Sequence, residues 1–272
     1  MNLLKKMRKF VLMVVLIVTM LLTTSCKKVI ENINPGDFDQ YTKNLFATLL
    51  GNDEMTIHFL FKNRENYDFP ETDLSLPTPG SNSALGIALI NLYFGPIKNY
   101  DYNTLTFDQK MTYNILIDLV DKINAESSEM GYLDNNYLGS YLGYQAQLPL
   151  LLTEYHFYKE EDIISYLKFL ELVPDTFKAY YDFEVEKASK GYGMADFVID
   201  KVIGQCDNFI SGIDNNTSFM YHVVNKKINE CDFLSLDKKQ FYVERNNELL
   251  RTCMKDGYLY IKENLPTLKG KG

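Results

Sequence analysis

The sequence predicts an all-α fold, a multi-helix antiparallel array with short loops. Apolar residues recur at helical spacing along almost the whole chain from Phe38 to Ile261. No alternating apolar and polar run is bounded by hairpin turns, so a sheet is not predicted. Hydrophobic residues make up 46% of the 272 residues, which is ample for a packed core.

The first 25 residues have the three parts of a secretory signal. A basic segment, residues 5–9, precedes an apolar run from Phe10 to Leu22, and small residues follow before Cys26. A membrane-spanning helix needs roughly 20 apolar residues, and this run is shorter. We therefore predict export with removal of residues 1–25, and not a transmembrane anchor.

The residues before Cys26 are similar to the lipobox of bacterial lipoproteins, in which the cysteine sulfur receives a diacylglycerol. Thr23 stands where the usual leucine would be, and Leu22 lies one place further back. The resemblance implies lipidation at Cys26. Residues 27–36 are polar and end in Asn34-Pro35-Gly36, which predicts a lipid-anchored tether over residues 26–36 before a helical domain over residues 37–272. The alternative is an ordinary signal cut that leaves a free Cys26.

The charge of the exported chain bears on its partners. Four of the 28 basic residues lie in the signal, which has no acid, so 24 remain against 36 acidic residues and the net charge is −12. Such a surface repels nucleic acid and anionic lipid heads. We therefore predict no nucleic-acid partner, and membrane attachment only through the lipid, on the outer face of a bacterial membrane.

Helical periodicity, caps and breakers divide the remaining chain into segments. The first run ends at Gly51, and a long irregular stretch with several prolines follows the second. The predicted helices are Phe38–Leu50, Met55–Phe61, Ala84–Phe94, Thr106–Ile123, Pro149–Tyr158, Asp162–Val173, Pro174–Lys190, Ala195–Ile210, Ser218–Asn229 and Asp237–Asn264, the last with Ser235 as N-cap.

The helix that starts at Thr106 has the clearest signals. Thr106 and Gln109 have capping-box spacing. Phe107, Met111 and Ile115 recur every four residues beside further apolar positions. This wide apolar stripe predicts a helix that faces a core.

Residues 131–147 alternate glycine with tyrosine, which predicts an aromatic loop, and Pro149 suits the first turn of the next helix. Tyr144, Gln145 and Gln147 are the candidate peptide-groove residues, because side-chain amides can hydrogen-bond to a peptide backbone. The alternative is that these amides satisfy backbone groups of the loop.

The titratable residues predict no catalytic residue and no metal ligand. His58, His156 and His222 are far apart in sequence, whereas a helical zinc site needs two imidazoles one turn apart. The acids at 160–162 are expected at a helix N-terminus, and those at 182–186 on a solvated face. Cys206, Cys231 and Cys253 allow either one disulfide or three free thiols.

Several spaced segments resemble the N-terminal, helical portion of the bacterial domain-of-unknown-function family eight-eight-five. The matching stretches are residues 53–59, 107–113, 143–155, 162–167 and 202–206. Members of that family are longer and are similar to zinc metallopeptidases of the carboxypeptidase type. Their H-E-x-x-H zinc motif lies in the C-terminal half, and this chain ends before that half would begin.

The resemblance implies no cofactor in this chain, with zinc expected only alongside the missing C-terminal half. Two functions are therefore expected from the sequence. The chain is either the cleft-forming portion of an extracytoplasmic metallopeptidase-like lipoprotein, inactive alone, or a non-enzymatic surface lipoprotein that binds peptides or a partner protein.

Overall fold

The structure is a computed structural model that describes residues 37–51, 53–67, 69, 73–79, 92–126, 131–134 and 136–272. The predicted signal (1–25), Cys26, the tether (26–36) and most of the helix predicted over 84–94 lie outside these residues. Helices dominate the described residues, which contain no strand, so the all-α prediction is confirmed.

The α-helices are numbered here in chain order. They are α1 (Phe38–Leu50), α2 (Glu54–Leu60), α3 (Phe107–Glu126), α4 (Gly131–Asp134), α5 (Tyr144–Glu154), α6 (Glu160–Ser189), α7 (Asp196–Asp214), α8 (Phe219–Glu230), α9 (Leu236–Leu249) and α10 (Lys255–Asn264). A π-helical turn, Leu250–Met254, joins α9 to α10. Short 3-10 helices cover Arg64–Asn66, Gly95–Asn99, Tyr102–Thr104 and Leu265–Leu268.

The chain divides into two compact units. The first combines Met1–Ala47 with Ile87–Lys122. In it Phe38, Tyr41 and Leu45 are buried on one face of α1, as the periodicity predicts. The Tyr41 hydroxyl donates to the carbonyl of Tyr93 at 2.9 Å, and burial raises the Tyr41 pKa to about 12.

Helix α3 confirms its predicted cap but not its predicted face. Thr106 N–H donates to Gln109 Oε1 at 3.0 Å, and Gln109 N–H donates to Thr106 Oγ1 at 3.3 Å. The stripe expected to face a core is exposed at Phe107, Met111 and Ile115, which are 77%, 51% and 62% accessible, whereas Val120 near the other end of the helix is buried. The prediction was therefore wrong for the first half of the helix, because periodicity identifies an apolar face and not what covers it.

The second unit combines Thr48–Gly86 with Ile123–Gly272 and contains the main core. Its centre is the 30-residue helix α6, which packs against α9, the π-helical turn and α10. Helix α10 also packs against α7, and α8 packs against α9. Ser235 caps α9 as predicted, since its hydroxyl accepts from Lys238 N–H at 3.4 Å.

Helix α6 runs without a break through Pro174, whereas the sequence predicted two helices that meet there. An interior proline removes one hydrogen bond and disfavours the helix, so packing must hold this one together. Val173 and Phe177, on either side, are fully buried. They lie so close to Gly257 of α10 that a Cβ there would be 2.8 Å from Val173 Cγ1.

Helix α5 begins at Tyr144, five residues before the predicted start at Pro149, and α4 shortens the predicted loop from its other end. Pro149 therefore lies inside α5, where its missing N–H leaves the carbonyl of Gln145 without its usual helical donor. The hydroxyl of Tyr258, from α10, donates to that carbonyl. A tertiary contact thus replaces the hydrogen bond that proline removes.

The other end of α5 is held by a lysine from α8. Lys227 Nζ donates to the carbonyls of Thr153 at 2.7 Å and Tyr155 at 2.6 Å. Its ammonium also lies 5.0 Å from the ring centroid of Phe157. Burial lowers the pKa of Lys227.

Two further predictions on polar residues were decided by the structure. The acids at 160–162 do begin a helix, but Glu184, expected on a solvated face, is fully buried beside Lys187. Cys206, Cys231 and Cys253 are free thiols. Within the described ranges, no helix is long and apolar enough to cross a membrane.

Candidate functional site

The candidate site is a groove in the second unit between α5, α7 and the start of α8, with a volume of about 570 Å³. We call it the amide groove. Its polar lining residues are Gln145, Gln205, Asn208, Thr217 and Ser218. Its other lining residues are Ala146, Pro149, Leu150, Phe209, Gly212 and Phe219.

The amide groove has no charged side chain in its lining, although 24% of the residues in the chain are charged. Phe209 is stacked on Tyr258 with centroids 3.8 Å apart, which fixes one apolar wall. Leu150 and Phe219 are exposed on the lining, 57% and 41% respectively. A ligand here would meet apolar surface and neutral hydrogen-bonding groups.

Gln145 is held in place by the loop that precedes α5. Its Nε2 donates to the carbonyl of Gly139 at 2.5 Å and to Gln205 Oε1 at 2.7 Å. Gln205 Nε2 in turn donates to the carbonyl of Ser140 at 2.9 Å. The two amides therefore join α5, α7 and the loop in one hydrogen-bonded chain, and Gln145 is only 2% exposed.

The loop can come close enough to form these hydrogen bonds because Gly143, the N-cap of α5, has no side chain. A Cβ at Gly143 would lie 2.3 Å from Gly139 N and 2.6 Å from Gly139 O. Tyr144 N–H also donates to the carbonyl of Tyr137 at 2.8 Å. The glycines in the sequence pattern thus mark a close approach of backbone to backbone.

Of the three predicted peptide-groove residues, Gln145 lines the amide groove and the other two lie elsewhere. Tyr144 stacks on Tyr137 and Tyr180, with centroids 6.1 and 5.2 Å away, and burial raises its pKa. Gln147 Nε2 donates to the carbonyl of Leu142. Both side chains contact the loop and its surroundings.

Gln205 and Asn208 were not predicted from the sequence. They lie three residues apart on α7, so they share a face, and Phe209 follows at the next position. A signal was present in the sequence, since Gln205 and Asn208 stand with Asp207 between two apolar pairs, at 202–203 and 209–210. The Asn208 side chain makes no hydrogen bond with a described residue, so its amide is available to a ligand.

A second cavity, about 330 Å³, contains His58. The ring stacks on Tyr155 at 3.8 Å, and its Nε2 donates to the carbonyl of His156 at 2.8 Å. Nδ1 is 3.8 Å from Asp162 Oδ1, while Asp162 also accepts from the backbone N–H of Lys159. Burial lowers the His58 pKa, and the Asp162 carboxylate partly opposes this.

This arrangement suits a structural histidine, because Nε2 is committed to a backbone carbonyl. A metal ion could bind this ring only through Nδ1, the nitrogen that faces Asp162. Within the described ranges, no three His, Cys, Asp or Glu side chains gather as a metal site would require. The expectation that zinc belongs to residues beyond this chain stays a prediction.

The fold is similar to a known one. The structure matches the crystal structure of the putative lipoprotein from Colwellia psychrerythraea with a TM-score of 0.69 and 12% sequence identity. The match covers 86% of this chain and 42% of that one, so this chain spans less than half the length of its structural neighbour.

No family model matches the chain, and no curated protein matches it either. The resemblance to the family eight-eight-five therefore stays a prediction. At 12% identity, the match to the neighbour shows a similar fold alone.

Proposed function

We propose that this protein is an exported lipoprotein, anchored through Cys26 to the outer face of a bacterial membrane, that binds an uncharged, extended peptide in the amide groove. The observation that carries the proposal is a groove of about 570 Å³ with no charged residue in its lining. Ligand pockets are typically of this size and mostly apolar, with a few placed polar groups.

The amide side chains match the chemistry of a peptide backbone. Each amide offers both a donor and an acceptor, as each peptide unit does. Asn208 and the remaining N–H of Gln205 would bind the backbone, while Phe209 and Leu150 would contact an apolar side chain. Tyr144 and Gln147 would contribute indirectly, by fixing the loop that holds Gln145.

The groove is tested with amidated, N-acetylated pentapeptides that differ only in a central Leu, Lys or Glu. We expect the Leu peptide to bind best, and a Gln205→Ala, Asn208→Ala double change to weaken it roughly tenfold, as two lost neutral hydrogen bonds would. Asn208→Asp should shift the preference to the Lys peptide. The control is Asn229→Asp, an exposed position outside the groove.

Equal binding of the three peptides, or binding that the double change leaves intact, would rule out the amide groove as the peptide site. Circular dichroism of each variant confirms that the fold is retained.

The anchor is supported by the signal pattern before Cys26 and by the lipoprotein neighbour. Cys26→Ala should leave the protein exported but move it from the membrane fraction to the soluble fraction. Cys253→Ala, at a partly exposed thiol, is the control and should stay anchored. A Cys26→Ala protein that stays as firmly in the membrane fraction as the wild type would refute lipid anchoring.

A second candidate function is the helical portion of a longer metallopeptidase-like protein. It is favoured by the length of the structural neighbour, of which this chain covers 42%. In that case we expect the chain alone to cleave no peptide and to bind zinc no better than micromolar. Stoichiometric zinc in protein purified without a His tag, together with cleavage of a peptide library, would contradict this expectation.

A further inference from the structure

Helix α3, in the first unit, presents an apolar surface to solvent. Phe107, Met111 and Ile115 follow one another at intervals of one turn, and all three side chains are mostly exposed. We call these three side chains the apolar stripe. Contiguous apolar surface on a protein typically marks a contact with another protein or with a membrane, because leaving it in water is unfavourable.

The apolar stripe begins close to the point where the tether enters the fold. Gln109, two residues after Phe107, donates from Nε2 to Asp39 Oδ1 at 2.8 Å, so the start of α3 is held against the start of α1. Asp37, the first described residue, follows Cys26 by 11 residues. A chain of that length spans at most about 40 Å. A lipid on Cys26 therefore keeps the apolar stripe near a membrane surface.

Charge distinguishes the first unit from the rest of the exported chain. Residues 26–47 and 87–122 contain 6 basic and 7 acidic residues, so their net charge is −1. The remaining residues contain 18 basic and 29 acidic residues, and their net charge is −11. The repulsion from anionic lipid heads that is expected of the whole chain therefore comes almost entirely from the second unit. The unit that carries the tether can approach a lipid surface without it.

The side chains around the apolar stripe are of the kinds found where proteins meet lipid headgroups. The ring of Tyr102 contacts that of Tyr113, with centroids 5.4 Å apart, and Lys110 Nζ lies 5.4 Å from the Tyr102 centroid. Tyrosine is enriched at membrane interfaces, and lysine can extend its ammonium into water from apolar surroundings. Asp108 and Asp118, exposed near the two ends of the stripe, limit the contact to headgroup depth, because a carboxylate in hydrocarbon is costly.

We propose that the apolar stripe lies in the headgroup region of the membrane to which Cys26 is anchored, so that the lipid and the stripe together hold the first unit at the surface. This inference rests on the lipid anchoring proposed above. The lipid supplies most of the attachment, and the stripe determines which face of the first unit meets the membrane. Three side chains bind a membrane weakly by themselves, but beside a lipid anchor they act at a high effective concentration.

The test uses tryptophan fluorescence, because the chain has no tryptophan of its own. The lipidated full chain with Phe107→Trp is purified from the membrane fraction and reconstituted in phosphatidylcholine vesicles. We expect its emission to lie at shorter wavelength than that of the Cys26→Ala, Phe107→Trp protein without lipid. Lipids brominated near the headgroup should quench this emission more strongly than lipids brominated near the chain ends, because the contact is shallow.

Two matched variants of the lipidated chain test whether the apolar stripe makes the contact. Phe197→Trp places the tryptophan at an exposed phenylalanine of α7, in the second unit, and should keep the emission of a water-exposed indole. Adding Met111→Asp and Ile115→Asp to Phe107→Trp should return the emission to that of a water-exposed indole, while the protein stays in the membrane fraction. Circular dichroism checks that these exposed substitutions leave the fold intact.

The main alternative is that a second copy of the chain covers the apolar stripe. The emission of the Cys26→Ala, Phe107→Trp protein would then move to shorter wavelength as its concentration increases without vesicles, which would overturn the inference. Quenching that survives both aspartates has the same meaning. An anchored Phe107→Trp protein with the emission of a water-exposed indole overturns the inference but leaves lipid anchoring intact. Recovery of that protein in the soluble fraction overturns the anchoring and the inference with it.

Discussion

The amide groove differs in charge from another cavity of about 430 Å³, the tyrosine cavity, whose lining includes Tyr132, Tyr192 and Lys187. Gln145, at one end of the loop, faces the groove, whereas Gly139, Ser140 and Gly143 line the cavity. The groove has only neutral hydrogen-bonding groups, and the cavity has a buried ammonium with a buried acid behind it. Peptide binding in the groove should therefore be insensitive to pH, whereas the titration of Glu184 beside the cavity should make the stability of the protein depend on pH.

The largest expected effect comes from the residue on which both regions depend. Gly143→Ala would place a Cβ 2.3 Å from Gly139 N, so the loop must shift. We expect the free energy of unfolding to fall by about 3 kcal/mol, the upper range for overpacking, and peptide binding in the amide groove to be lost. Urea unfolding measures this effect.

Gly204→Ala, within α7, is the control, because no atom lies within 4 Å of a Cβ there. It should stabilise the helix by roughly 0.5–1 kcal/mol. Equal stabilities of the Gly143→Ala protein and the wild type would show that the loop does not depend on this contact.

The next effect tests whether the predicted glutamines bind ligand or hold the loop. A Gln145→Ala, Gln147→Ala double change removes hydrogen bonds to Gly139, Gln205 and Leu142. We expect the unfolding free energy to fall by about 2–3 kcal/mol, at about 0.5–1.5 kcal/mol for each bond. Thermal melts check this, and an unchanged melting temperature would favour direct contact with the peptide.

The buried acid Glu184 predicts that the free energy of unfolding depends on pH. Because the folded-state pKa of Glu184 is raised to about 6, its contribution to stability is fully present below the unfolded pKa and is lost as pH rises through 6. At ~1.4 kcal/mol per pKa unit, the loss is about 2 kcal/mol. Urea unfolding from pH 4.5 to pH 7.5 measures it.

His58 contributes with the opposite sign, since burial lowers its pKa and stability is lost as pH falls. The contribution of Glu184 is therefore isolated by comparing the free energy of unfolding of the wild type with that of Glu184→Gln at each pH. A difference between the two proteins that stays constant across the range would contradict the predicted titration of Glu184.

The smallest effect concerns the contact that replaces a missing hydrogen bond in α5. Tyr258→Phe removes the hydroxyl that donates to the carbonyl of Gln145. We expect the free energy of unfolding to fall by about 1 kcal/mol, with weaker peptide binding in the amide groove. Tyr260→Phe, on the same helix and partly exposed, is the control. Equal effects of the two changes on the free energy of unfolding would mean that the hydrogen bond from Tyr258 to the Gln145 carbonyl does not stabilise α5.

Local signals in the sequence were sufficient to predict most of the helices. The Thr106–Gln109 capping box and the Ser235 cap both form, because they depend on residues within one turn. Gly51 follows the end of α1. These features need no information from the rest of the chain.

The features that the sequence did not predict share a physical cause, since each depends on a residue that is far away in the sequence. Pro174 stays inside α6 because its neighbours pack against Gly257, and Pro149 stays inside α5 because Tyr258 replaces its donor. Glu184 is buried because Lys187 and the loop at Leu138 accommodate it. The candidate site was predicted only at Gln145, since its partners Gln205 and Asn208 come from another helix.

Helix α5 is fastened at both ends by side chains from other helices, Tyr258 at its start and Lys227 at its end. A wall held in this way should not need to rearrange when a ligand arrives. Association should then be a single step whose observed rate increases linearly with ligand concentration, and little ordering entropy should be lost on the protein side. Differences in affinity among related ligands would appear mainly in how long each complex lasts.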